Sequence, residues 1–284
     1  MSTKAPVIRS ALKCFPGTTA IGTDDVEFCA LAEFPDVALE QYGGLCSQAL
    51  SNLTLPFKSL LNKGCRLGKK AGGSRVIAIM CSFYRGLMKV MSPKIREWDV
   101  TEGHRYDSAL AGSSSLRAAV IRAIKIENAT AMLMHVGHLL WGMEKFYDSV
   151  DLAILAEELI RRNYPTELLV LGILAHAAPR ILNVGACFSV PIVRTGCSMV
   201  AGCQQAVSFA RGLLWSLVHE LCYTLPRCPA HEHVDDLSQP VVASTSRDLR
   251  EALVELGNVV RKHVQRLKIK LADKSTIVPI SFAT

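Results

Sequence analysis

No run of apolar residues in this chain is long enough to cross a bilayer. The longest, Leu168–Ala178 and Ala129–Leu140, fall well short of the roughly 20 residues a spanning helix needs, and the second carries two histidines. Met1 to Lys13 lacks the apolar centre of a secretory signal, so the expectation is an intracellular chain with no membrane anchor. A dense disulfide spacing is also missing. The ten cysteines (14, 29, 46, 65, 81, 187, 197, 203, 222 and 228) are scattered and read as reduced thiols. Internal repeats are absent too, which excludes a stacked-repeat architecture.

What is present is globular in balance. Of the 284 residues 50% are hydrophobic and 20% charged, enough for one large or two small domains with a substantial core. The net charge of +7 suits a polyanionic partner. Residues 1–20 read as a loosely ordered lead-in. A Gly/Lys-rich stretch, Lys63–Ser74, reads as a flexible basic loop. Within it, Gly64 to Lys70 is one residue short of a phosphate-cradling loop and has Lys70 where Ser or Thr would hold a metal. Arg75–Met80 is a β-type run, and Ser82–Trp98 has helical apolar spacing.

After the polar Thr101–Ser115, a serine cap opens a helix from Leu116 to about Asn128. Met132–Met143 reads as a buried strand, Leu152–Asn163 and Glu167–Ala177 as helices, and Gln204 to about Tyr223 as a long helix. Ser246 to about Leu267 has the clearest amphipathic stripe, with Thr245 and Asp248 at its start. A strand-like Lys274–Pro279 follows. Helices and strands mix without strict alternation, which favours an α+β fold.

The chemistry centres on His233-Val234-Asp235-Asp236. Neighbouring side chains point to opposite faces of a strand, so adjacent carboxylates share a site only at a tight strand–turn–strand junction. A zinc site on Cys222, Cys228, His231 and His233 is an alternative with suitable ligand types, but its spacing fits no common zinc module.

The order of several stretches resembles the fingers and palm of reverse transcriptases of non-LTR retroelements and group II introns. Ala20 to Asp25 is similar to the family's upstream Gly-x-Asp turn, and Ser74–Ile79 with Phe83-Tyr84-Arg85 to its fingers segment. Glu144–Val150 looks like the end of motif A, and Gly196–Ser208 like motif B. Val234-Asp235-Asp236 looks like motif C, and Leu267–Val278 like motif D. The resemblance implies fingers over 21–130 and a palm over 131–284, with an antiparallel palm sheet packed on helices and no thumb after it.

It also implies an RNA-directed DNA polymerase of a retrotransposon, acting on a primed RNA or DNA template with dNTPs. The metal would be Mg²⁺, or Mn²⁺ in its place, held by Asp235 and Asp236 as catalytic ligands. Arg75, Tyr147, Gly202 and Lys274 match nucleotide-binding positions. Motif A departs from the family. Its bridging carboxylate would fall at Gly142, which offers no ligand, and Glu144 is the only nearby substitute. The resemblance therefore implies an inactive copy, with a non-catalytic nucleic-acid-binding module as the alternative.

Overall fold

A computed structural model describes residues 4–68, 72, 74–184, 187–193 and 196–280. In chain order the first half holds helices α1 (Ala5–Lys13), α2 (Phe28–Ala32) and α3 (Asp36–Asn52), strands β1 (Asn62–Gly68) and β2 (Ser74–Ile79), and helices α4 (Ser82–Val90), α5 (Ser92–Glu102) and α6 (Ser115–Ala131). Then come β3 (His135–Trp141), α7 (Phe146–Ser149), α8 (Leu152–Arg161), α9 (Thr166–Ala177), β4 (Arg180–Val184) and β5 (Cys187–Phe188). The last part holds α10 (Ala206–Thr224), β6 (His231–His233), β7 (Asp236–Ala243), α11 (Ser246–Leu267) and β8 (Thr276–Pro279). The fold is α+β, as the unalternating pattern suggests. Among the described residues no helix is long and apolar enough to cross a membrane.

The chain divides into two compact units, and neither is a continuous stretch. One is Met1–Trp98 with Ala156–Ala206; the other is Asp99–Leu155 with Val207–Thr284. A strand can be far in sequence from the sheet it completes, and β1 pairs in parallel with β4 at Asn62↔Arg180.

In the first unit, β1 pairs antiparallel with β2 through Lys63↔Ile79 to Gly68↔Ser74, giving the sheet order β2-β1-β4-β5. The stretch expected as a flexible loop is therefore largely strand. Its glycines and lysines hide that from composition, but a ladder partner supplies the hydrogen bonds regardless. Lys69 and Lys70 lie outside the described residues. Residues 5–13 are likewise helix rather than a loose lead-in. Ala5, Ile8 and Leu12 recur at helical spacing and are fully buried beside Phe28 and Leu39. The expected helix Ser82–Trp98 is two helices, because α4 ends at its C-cap Met91 and α5 starts afresh with Pro93 in its first turn.

A buried polar knot ties this unit together. Gln205 Nε2 donates to Tyr84 Oη at 2.9 Å, and Tyr164 Oη donates to Gln205 Oε1 at 2.7 Å. His176 is fully buried and accepts the Val200 N–H at Nδ1, 2.8 Å away; burial pulls its pKa down to about 3, so the ring stays neutral.

The second unit is built on an entirely antiparallel sheet in the order β6-β7-β3-β8. Its longest helix, α11, begins where Thr245 Oγ1 accepts the Asp248 N–H at 3.1 Å, and it buries Leu256, Val259, Val260 and Leu267. Leu249 and Leu253 lie over Gly137 of β3, where an added Cβ would meet them at 3.4–3.5 Å. That packing, with Val136, Leu139, Leu237 and Val241 buried in the sheet, holds β3 and β7 in register.

Candidate functional site

Asp235 and Asp236 sit at a two-residue hairpin. His233 pairs with Asp236, so Val234 and Asp235 form the turn between β6 and β7. Val234 has φ 61°, a left-handed conformation that a β-branched residue adopts only under strain. Such strain persists where the surroundings over-determine it, and it frequently marks functional turns.

The register of β3 on β7 ends at Trp141↔Leu237, which puts Gly142 opposite Asp236. Alternation then places Gly142, Leu140 and His138 on the same face as Asp236 and Ser238, and His138 Nε2 lies 2.8 Å from Ser238 Oγ on that face. The position expected from the sequence to carry a third carboxylate thus lies opposite Asp236, while Asp235 lies in the turn.

What lies over the glycine is Lys274. Its Nζ is 3.4 Å from Asp236 Oδ1. A Cβ added at residue 142 would meet Lys274 Cε at 2.5 Å and Nζ at 3.2 Å. The segment carrying Lys274 is stapled to Gly142 on both sides of its peptide. Gly142 N–H donates to Ser275 Oγ at 3.1 Å, Ser275 Oγ donates back to Gly142 O at 3.0 Å, and Ala272 N–H donates to the same carbonyl at 2.8 Å. A side chain at 142 would require the flexible end of Lys274 to shift.

Tyr147, on α7, is half-buried beside the hairpin. Burial, with the charge of Asp235 adding to it, pushes its hydroxyl up to about 12. Glu144 turns elsewhere: its carboxylate lies 3.4 Å from Lys270 Nζ, and its N–H donates to Lys270 O. It does not stand in for the missing ligand. Arg75 and Gly202 belong to the first unit. The Arg75 side chain lies outside the described residues, although its backbone pairs with Leu67. Gly202 has φ 90°, so the turn itself requires glycine there.

A divalent ion at the hairpin needs several oxygen donors around it. Residue 142 offers none, and the Lys274 ammonium lies beside Asp236. Among the described residues no group of three His, Cys, Asp or Glu comes together to hold a metal ion. The residues present do not fit Mg²⁺. Nor do they gather the zinc alternative, since Cys222 Sγ lies 3.6 Å from Ala230 O and Cys228 Sγ accepts the Val242 N–H.

Behind the hairpin lies a cluster the sequence did not reveal. Arg211 of α10, 2% exposed, forms ion pairs with Asp99 and with Asp107. Glu232 of β6 is buried next to them. Burial, then the charge of Asp107, holds its carboxyl pKa well above the usual range. The segment before α6 runs along the outer edge of β6, with Glu232 N–H donating to Tyr106 O and Ser108 N–H to Glu232 O. Nothing local announces these pairs, because their partners come from distant parts of the chain. Comparison with protein-family models and with curated proteins finds no match to this chain.

Proposed function

We propose that this chain is a reverse-transcriptase-type fingers–palm domain that binds nucleic acid and does not polymerise it. One observation carries the reading: an antiparallel sheet in the order β6-β7-β3-β8 puts a strained Asp-Asp hairpin directly across from Gly142. The motif order leads to the same pairing of residue 142 with Asp236, which supports the alignment. Lys274, expected to serve the nucleotide, has its Nζ 3.4 Å from Asp236 Oδ1, a cation beside the carboxylate that a metal would need. Losing that electrostatic centre removes the main source of rate in phosphoryl chemistry. What remains is a net charge of +7 suited to a phosphate backbone.

The test pairs two assays on one preparation. Binding to a primer–template hybrid, titrated with salt, is expected to weaken log-linearly with salt and without sequence preference. Primer extension with Mg²⁺ or Mn²⁺ and dNTPs is expected to give no product. Extension by the unmodified protein contradicts the silent-palm reading, and absence of salt-dependent binding contradicts the nucleic-acid reading.

A further inference from the structure

We infer that the pocket between the first half of α6 and the outer edge of β6 is a binding site for a phosphate group. Arg105, Tyr106, Ser113, Arg117, Lys125 and His231 line it, and its volume is about 320 Å³. That is at the lower end of the range for small-ligand pockets, roughly 300–1,000 Å³, and ample for a phosphate or diphosphate. Arg117 and Lys125 are two helical turns apart and so stand on the same side of α6. Arg105 reaches the pocket from the preceding segment, its guanidinium 4.7 Å from the centre of the Tyr106 ring.

The charge balance is the central observation. Among the described residues none of these three cations has a carboxylate partner. The acid that lines the pocket, Asp107, is already held by the buried Arg211. Three converging cations without a counter-charge repel one another, and a doubly charged anion relieves that repulsion. The local field is visible in a neighbouring ring. Burial, joined by the positive charges of Arg122 and Lys125, depresses His231 to about 4. His231 therefore stays neutral and forms a polar wall without adding a fourth charge. Ser114 Oγ accepts the Arg117 N–H at 3.2 Å, and its own O–H can donate to a phosphate oxygen.

The phosphate has two natural sources, free inorganic phosphate or the 5′-terminal phosphate of a nucleic-acid strand; only the second rests on the function proposed above. Line broadening of inorganic phosphate in ³¹P NMR reads the pocket directly. Fluorescence anisotropy with a short single-stranded RNA, carrying either a 5′-phosphate or a 5′-hydroxyl, reads the source. The proteins are the unmodified chain, the exposed pair Arg117→Glu/Lys125→Glu, and Arg250→Glu as a charge-reversal control on α11.

The expected result is phosphate binding that weakens roughly tenfold or more in the pair variant and is unchanged in Arg250→Glu. A 5′-phosphate preference of about fivefold or more, lost in the pair variant, assigns the pocket to strand ends; equal binding of both RNAs assigns it to free phosphate. No phosphate response in the unmodified protein, or an equal response in the pair variant, overturns the site whatever the RNA does. Phosphate binding without any RNA binding leaves the pocket standing and contradicts the nucleic-acid reading alone.

Discussion

Gly142 faces Asp236 across the β3–β7 ladder, and the end of the Lys274 side chain lies over it, with the ammonium 3.4 Å from the Asp236 carboxylate. The two form an acid–ammonium pair. Both members are largely exposed, with side-chain exposures of 69% and 64%, so the pair adds little to stability. Lys274→Ala is expected to change the unfolding free energy by no more than about 0.5 kcal/mol in urea titration. A loss of several kcal/mol would mean that the lysine holds the fold rather than the site.

Arg211 is the cation the second unit cannot do without. Arg211→Met leaves Asp107, 2% exposed, as an uncompensated buried charge. Breaking one partner of such a pair costs about 3–5 kcal/mol, and urea denaturation followed by circular dichroism should show it. Adding Asp107→Asn should recover part of the loss. A cost below about 1 kcal/mol for the single change would show that the cluster is solvated in solution.

Glu232 gives the stability a pH dependence of defined sign. Its folded pKa lies well above the ordinary 4.5, so the folded chain keeps a proton that the unfolded chain releases. This contribution is complete below about pH 4.5 and is lost as pH rises through the raised folded value. Glu232→Gln removes it. The variant's advantage over the unmodified protein should be near zero at pH 4 and grow toward pH 8, by about 1.4 kcal/mol for each unit the pKa is raised. Unfolding curves whose difference is flat in pH would contradict the assignment.

The hairpin strain is testable at one residue. Asn tolerates the left-handed region far better than Val, so Val234→Asn is expected to raise stability by about 1 kcal/mol. A decrease in the unfolding midpoint would mean that the Val234 side chain makes packing contacts worth more than the strain.

Legibility in the sequence followed locality. Helix α11 is readable because Thr245, Asp248 and the stripe through Leu256, Val260 and Leu267 all lie within one segment. The β3 strand and the Asp-Asp turn are readable for the same reason. The ladder of β1 was not, since Gly64, Gly68 and the lysines weaken its propensity and its partners supply the order. Helix α1 could have been found from the spacing of Ala5, Ile8 and Leu12, which its basic neighbours obscured. The Arg211 cluster, the α6 pocket and the approach of Lys274 to Gly142 each join residues far apart in the chain. No local pattern encodes them.

The most direct test of the site is a Mn²⁺ titration followed by electron paramagnetic resonance on three proteins. Gly142→Asp alone supplies a third carboxylate but leaves it beside the Lys274 ammonium, whereas Gly142→Asp/Lys274→Ala supplies the carboxylate and removes the competing cation. The expected result is no saturable Mn²⁺ binding by the unmodified chain or by Gly142→Asp, and saturable binding by the double variant that disappears when Asp235→Asn is added. Saturable, Asp235-dependent binding of Mn²⁺ by the unmodified protein would contradict it.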